Sequence, residues 1–239
     1  MLPLLGFLLT LGLVEILGLD RPIANAWSFD AATGRWLGSG PGDWWAHRLL
    51  HDDGRWLVRG IAALAIGVWL ASFRWGRWRA ARASAGFIGL GMIVAIGIVG
   101  ALKAVTNVDC PWDLAGFGGH NPYVPLLAHR PAYLPRARCF PGAHSASGFA
   151  LFSLYFAFRD AAPAKARLGL AAGLFLGCLF AFGQEARGAH FFSHDLAGAG
   201  AVWFVQLALY AWLLAPKPAA SAATSSPRPP AYETESGWR

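Results

Sequence analysis

Two short histidine-containing segments hold the side chains best suited to catalysis. In the first, Pro141 breaks the chain ahead of His144, and the small residues Gly142 and Ala143 let the backbone approach a ligand. The apolar run that follows predicts a helix beginning near His144, with free N–H groups that can bind an anion. An imidazole there can donate a proton to a leaving oxygen near neutral pH. The alternative is an ordinary capping turn with an exposed histidine.

The second segment contains His190, His194 and Asp195. The two histidines lie four residues apart, so a helix would place them on one face. Two chemistries fit this pattern. Either His190 attacks phosphorus while a neighbouring carboxylate or imidazole fixes its tautomer, or the three side chains bind a divalent metal. The zinc-protease helix motif is excluded, because Phe191 occupies the position of its glutamate.

The composition indicates which elements must position these residues. Hydrophobic residues make up 56% of the chain and charged residues 14%, and the mean hydropathy is +0.41, values typical of a membrane protein. The net charge of +7 lies in short loops between apolar runs, so it indicates topology and not nucleic-acid binding. We expect one domain over residues 1–215 and a disordered cytoplasmic tail over 216–239, which is rich in Ala, Ser and Pro.

Six apolar runs predict an all-α fold, a six-transmembrane helical bundle, since about 20 apolar residues cross the hydrocarbon core. The fourth run reaches that length only if its helix begins near His144, which puts this residue at the membrane edge. The predicted spans lie at about Pro3–Leu19, Trp56–Phe73, Ser84–Val105, Ser147–Phe158, Leu168–Phe182 and Leu196–Leu214.

Basic residues in the short loops predict the orientation. They follow the second, fourth and sixth runs, and that side should be cytoplasmic. The active site should then face the periplasm or exterior of a bacterial-type inner membrane. The first run is alternatively a signal peptide, because residues 24–26 read Ala-Asn-Ala. The basic residues are Arg74, Arg77, Arg79, Arg82, Arg159, Lys165, Arg167 and Lys217.

Tryptophans are concentrated in the outward segment Asp20–Arg55. Their amphipathic rings prefer the headgroup zone, so we expect a short interfacial helix on the outer face, acting as an anchor or as a lid for lipid entry. Two cysteines, Cys110 and Cys139, fall in the outward loop between the third and fourth runs, where an oxidising compartment permits a disulfide. Cys178 lies within the fifth run and is expected to be a small packing residue.

Three motifs now stand in order along the chain. Lys103 is followed after six residues by Cys110-Pro111, then by Pro141-Gly142-Ala143-His144 and by Arg187-Gly188-Ala189-His190. This series resembles the three motifs of the type 2 phosphatidic acid phosphatase superfamily, over about Ser84–Leu214. The resemblance implies an all-α core, six spans in membrane members, and catalysis without a metal or another cofactor.

The resemblance also implies a role for each matching residue. His190 attacks the substrate to form a phosphohistidine, which water then hydrolyses, and His144 protonates the leaving group. Asp195 orients His190 if the backbone between them is not regular helix, and His194 does so otherwise. The candidate phosphate-binding residues are Lys103, Arg138, Gly142, Ala143 and Arg187.

Three positions depart from the family pattern. Cys110 stands in place of an arginine, Gly142 in place of a serine, and Gln184 in place of the third-motif arginine. Arg187 lies one helical turn from Gln184 and can present its guanidinium group to the same phosphate, while Arg136 or Arg138 can replace the first-motif arginine.

The leading hypothesis is a metal-independent phosphatase acting on a lipid-linked phosphate or diphosphate at the outer face of the membrane. Its partners are the substrate and membrane lipids, with no nucleic acid and no indicated oligomeric state. Two alternatives remain open. One is a lipid phosphotransferase with the same intermediate, and the other is a non-catalytic bundle that binds or transports lipid phosphates.

Overall fold

Long apolar helices make up most of the fold, and the computed structural model describes residues 2–40 and 42–216. The structure is 69% helix and 3% strand, so the mostly helical architecture is confirmed. The predicted tail from residue 217 onward lies outside the described residues. The α-helices are α1 (Leu2–Ile16), α2 (Asp20–Trp27), α3 (Gly54–Arg74), α4 (Arg82–Thr106), α5 (Ala143–Phe149), α6 (Phe152–Phe158), α7 (Pro163–Ala186) and α8 (Phe192–Leu213).

Shorter elements connect these helices. A two-stranded antiparallel hairpin pairs β1 (Phe29–Asp30) with β2 (Arg35–Trp36). A π-helix over Trp45–Asp53 runs directly into α3, and 3₁₀ turns cover Gly76–Ala81 and Pro111–Asp113.

Four helical stretches in the described part of the chain are long and apolar enough to cross a membrane. The pair α1 and α2 adds a fifth if it counts as one span, although the two helices are bent by 76°. Six spans therefore stay a prediction. The four stretches are Trp45–Arg74, Gly76–Asp113, Pro163–Ala186 and Phe192–Leu213.

The fourth predicted span runs as two short helices, α5 and α6. Between them the backbone switches to i→i−3 hydrogen bonds, with Leu151 N–H donating to Gly148 and Ser153 N–H donating to Ala150. Most side chains of this pair are buried, and Phe149, Phe152 and Phe156 contribute to the core between α4 and α8. The two helices thus form the centre of the bundle, and α5 starts at its end, beside His144.

The tryptophan-rich segment before α3 divides into three elements, so the predicted interfacial helix is not confirmed. Trp36 of the hairpin is buried and donates its indole N–H to the Phe117 carbonyl at 3.1 Å. Trp44 and Trp56, in contrast, are exposed. The hairpin packs against the protein because it completes a buried aromatic cluster with Phe117 and Phe191.

Asp20 at the start of α2 holds the first turn of α8. Its Oδ1 accepts a hydrogen bond from the Ser193 N–H at 2.8 Å, and its Oδ2 accepts one from the Ser193 hydroxyl at 2.5 Å. Both residues are buried. The bond to the N–H satisfies a first-turn donor that has no partner within its own helix. Asp20 thereby fixes the position of Asp195, two residues further along α8.

Candidate active site

Four helix ends meet at one end of the bundle, beside a cavity of 540 Å³. Antiparallel packing brings together the last turn of α4, the first turns of α5 and α8, and the residues that follow α7. The cavity thus collects side chains from all three sequence motifs. Its lining includes Lys103, Arg138, Ala143, His144, Arg187 and His190.

His190 and Asp195 form a buried pair behind one wall of this cavity. His190 Nδ1 lies 2.6 Å from Asp195 Oδ1, and both side chains are 4% exposed. Helix α7 ends at Ala186 and α8 begins at Phe192, so the backbone at His190 is not helical. That irregular stretch lets side chains five residues apart meet. A carboxylate on Nδ1 fixes the tautomer and leaves Nε2 as the nitrogen that can attack.

His194, the alternative candidate for orienting His190, does not bond to it. Its ring is buried and meets Phe140 and Phe191 edge-on, at centroid distances of 5.5 and 5.7 Å, outside the lining of the 540 Å³ cavity. Across residues 2–40 and 42–216, no three His, Cys, Asp or Glu side chains are grouped to hold a metal ion. His190 Nδ1 thus contacts Asp195 Oδ1, whereas the His194 ring packs among aromatic side chains.

Gly142 lies directly against the His190–Asp195 pair. A Cβ at this position would lie 2.4 Å from Asp195 Oδ1 and 2.9 Å from His190 Nδ1, closer than real Cβ atoms approach. Its own N–H donates to the His194 carbonyl at 2.7 Å and is therefore not available to a phosphate. The glycine that replaces the family serine serves here to make room for the pair.

Replacing Gly142 with alanine is expected to separate His190 from Asp195. We expect kcat to fall on the order of 100-fold, since a displacement of about 1 Å in a reacting group can cost that much. Phosphate release by the purified protein in detergent measures the effect. Gly97→Ala is the matched control, because a Cβ there meets no atom within 4 Å. Equal activity of Gly142→Ala and wild type would contradict the proposed steric role.

His144 is held by contacts on two sides. Its Nε2 lies 2.9 Å from the Leu50 carbonyl oxygen, and its ring stacks on Phe180 at 4.5 Å. Because a carbonyl oxygen only accepts, Nε2 carries a hydrogen. Burial lowers the pKa of His144 to about 4, so the imidazole is neutral in the empty site at pH 7.

The arginines proposed to replace the family ligands are placed differently from one another. Arg138 lines the cavity, whereas Arg136 donates to the Ala104 carbonyl at the end of α4. Arg187 also lines the cavity and donates through Nη2 to His47 Nε2 at 3.1 Å. Its Nη1 is buried without a hydrogen-bond partner among the described residues. Burial lowers the pKa of Arg187, but a guanidinium stays charged at neutral pH.

A disulfide joins Cys110 and Cys139 at the rim of the cavity, and both residues line it. The bond closes the loop between α4 and α5. A buried ion pair between Asp109 and Arg130 holds the same loop from inside. The loop is therefore tied at two points, which keeps Arg138 next to the cavity.

A family model described as the PAP2 superfamily matches residues 84–217, more than half of the chain. The chain belongs to the PAP2 superfamily. This confirms the resemblance drawn from the three motifs, and membership implies phosphatase-type activity on phosphate-containing substrates. No curated protein and no solved structure gives a significant match.

Residues before the PAP2 match also reach the site, although the three sequence motifs do not contain them. His51, Arg55 and Arg59 line the cavity from the π-helix and α3. The His51 ring centroid lies 4.6 Å from that of His144, and Gln184 Nε2 lies 3.0 Å from His51 Nδ1. The spacing of four residues was the available signal, because it places all three side chains on one helix face.

The turn that carries His190 rests on the N-terminal hairpin. Gly188 has a φ of 73°, and a Cβ there would lie 2.3 Å from the Trp36 indole. The Ala186 carbonyl, at the end of α7, accepts a hydrogen bond from Gly38 N–H at 2.8 Å. Glycine fits position 188 for two reasons: it adopts the left-handed backbone conformation readily, and it has no Cβ that would collide with the Trp36 ring.

Proposed function

We propose that this PAP2 superfamily member removes phosphate from a lipid-linked substrate at the outer face of an inner membrane, through a phosphohistidine on His190. The observation that supports this best is the 2.6 Å contact between His190 Nδ1 and Asp195 Oδ1, beside a cavity rich in cationic side chains. The pair matches the requirement for a nucleophile whose second nitrogen is held by an orienting group.

In this proposal the phosphate binds among Lys103, Arg138 and Arg187. These side chains have no charge-neutralising partner in the lining of the cavity, and the buried Arg187 Nη1 is available to a phosphate oxygen. Phosphoryl transfer leaves little covalent work for the protein, so fixed positive charge around the equatorial oxygens supplies much of the rate.

The reaction proceeds in two displacements. His190 Nε2 attacks phosphorus, the bond from phosphorus to the lipid oxygen breaks, and Asp195 stabilises the positive charge that develops on the imidazole. A water molecule then attacks the phosphohistidine and releases inorganic phosphate and free His190. In this proposal His144, protonated while the phosphate is bound, gives its proton to the leaving oxygen and then activates that water. A bound phosphate dianion favours the protonated imidazole and so raises the low pKa of His144.

The membrane location rests on the long helices and on the basic loops. Arg82 begins α4 and Lys103 lies near its end, so the two residues are about 30 Å apart along the helix. The arginines between α3 and α4 are thus at the end of the bundle opposite the cavity. The excess of positive charge in cytoplasmic loops supports an outward-facing cavity, where phosphates of the outer leaflet are within reach.

The experiment is an assay of phosphate release by the purified protein in detergent, with a chelator present and a panel of lipid phosphates. We expect wild type to release phosphate and His144→Ala to lose on the order of 10²- to 10⁴-fold in rate for lipid monophosphates. Binding without release from any substrate would favour the non-catalytic bundle. Turnover that requires an acceptor lipid would indicate a phosphotransferase, and loss of activity with the chelator would indicate a metal-dependent hydrolase.

A further inference from the structure

One wall of the cavity comes from outside the PAP2 match and is strongly cationic. His51, Arg55 and Arg59 face the cavity from the continuous π-helix and α3, together with the apolar Val58. The family motifs explain none of these residues. Their position requires a separate account, because two arginines on one face of an apolar helix must meet either solvent or an anion.

The cavity holds more positive charge than one phosphate needs. A phosphate monoester carries about −1.5 to −2 at pH 7. Lys103, Arg138 and Arg187 already supply three positive charges around it. Arg55 and Arg59 add two more, and none of the described residues that line the cavity is Asp or Glu. A second phosphate would balance this excess.

The partners of Arg55 and Arg59 leave both guanidinium groups available. Arg55 pairs with Asp52 at 2.7 Å, but both side chains are 45% exposed, so the pair contributes little. Arg59 lies over the Trp56 ring at 5.0 Å, an arrangement that leaves its N–H groups free for another acceptor. An anion in the cavity can therefore bind both arginines without breaking a strong interaction.

The extra charge lies on the side of the leaving group. His144 marks that side, and the His51 ring is its neighbour at 4.6 Å. Arg55 follows His51 by one helical turn and Arg59 follows Arg55 by another, which extends a basic row away from His144. A leaving group that is itself a phosphate would meet this row.

We propose that the preferred substrate is a lipid diphosphate, with Arg55 and Arg59 as the site for its lipid-side phosphate. The proposal rests on the phosphatase function proposed above and names its substrate class. His190 Nε2 forms a bond to the terminal phosphorus, and the bond from that phosphorus to the bridging oxygen breaks. The electron pair stays on the bridging oxygen, which leaves with the lipid monophosphate, and water later releases inorganic phosphate from His190.

A phosphate leaving group needs less help from an acid than an alcohol leaving group does. A phosphate monoester has a second pKa of about 6, so it leaves near neutral pH without a proton. An alcohol oxygen resembles water, whose pKa lies far above neutral, so it needs a proton in order to leave. Cleavage of a diphosphate therefore depends less on a proton from His144 than cleavage of a monophosphate does.

The test compares farnesyl diphosphate with farnesyl monophosphate, which share a lipid chain and differ by one phosphate. We expect Arg55→Gln and Arg59→Gln each to lower kcat/KM for the diphosphate by about 10- to 100-fold, the effect of losing a hydrogen bond between charged groups. The loss for the monophosphate should be at least tenfold smaller. Arg48→Gln is the matched control, because Arg48 lies on the same π-helix, is exposed and does not line the cavity.

Three results distinguish a failure of the diphosphate site from a failure of the phosphatase function. Equal losses on the two substrates would overturn the diphosphate site while leaving the phosphatase function intact. Release from neither substrate by wild type would reject the phosphatase function itself. Arg55→Lys and Arg59→Lys keep the charge and should restore part of the diphosphate activity, which separates loss of a phosphate ligand from loss of folding.

Discussion

Replacing His190 with alanine is expected to abolish turnover, with a fall in kcat on the order of 10⁴-fold or more, as for removal of other catalytic nucleophiles. His144 is not an equivalent replacement, because its Nε2 is bonded to the Leu50 carbonyl, and His194 lies outside the cavity lining. Phosphate release from a lipid phosphate in detergent measures the loss.

The same variant also tests the covalent intermediate. Wild type quenched during turnover of a substrate labelled in its terminal phosphate should carry label on the protein, and His190→Ala should carry none. His120→Ala is the matched control, because His120 is an exposed residue of the loop between α4 and α5. Label that persists in His190→Ala would assign the attack to another residue.

Replacing Asp195 with asparagine is expected to lower kcat on the order of 10³- to 10⁴-fold, as loss of the orienting carboxylate does in other catalytic histidine pairs. Asparagine keeps the size of the side chain but removes the charge that stabilises the imidazolium of His190. The effect should appear in kcat more than in KM, since Asp195 does not line the cavity. Single-turnover kinetics with excess enzyme separate an effect on the chemical step from an effect on substrate binding.

His194→Phe is the contrasting variant for this prediction. His194 packs among Phe140 and Phe191, so a phenylalanine preserves the shape of the contact. We expect a loss of less than about tenfold, comparable to a modest packing change. A larger loss in His194→Phe than in Asp195→Asn would reverse the assignment of the orienting residue.

The sequence was sufficient to pick out two histidines that the structure brings to one cavity. His144 stands at a helix start after Pro and Gly, and His190 follows a short turn, so motif and spacing together identified both. Asp195 depended on the shape of the backbone, because periodicity does not reveal whether residues 190–195 form a helix. The disulfide between Cys110 and Cys139 likewise required three-dimensional geometry.

The other differences between the sequence-based predictions and the structure arise from tertiary packing. The sequence predicts Trp36 to be an interfacial residue. In the structure it is buried against Gly188, because the hairpin completes an aromatic cluster. His51 and Arg55 belong to the outward segment Asp20–Arg55, for which the sequence predicts only an interfacial helix. Which face of that helix meets a cavity depends on its neighbours in space, and hydropathy along the chain carries no such information.

The packing of Trp36 against Gly188 has a consequence for how such enzymes diverge. The turn that presents the nucleophile is supported by an N-terminal segment that lies outside the PAP2 match, and the next helix of the same segment forms a wall of the cavity. Changes at Arg55 or Arg59 can therefore alter which molecules are accepted while the turn below His190 stays intact. In the proposed function, the arginines that select the substrate and the histidine that reacts lie in different stretches of the chain, so selectivity and reactivity can evolve, or be engineered, independently.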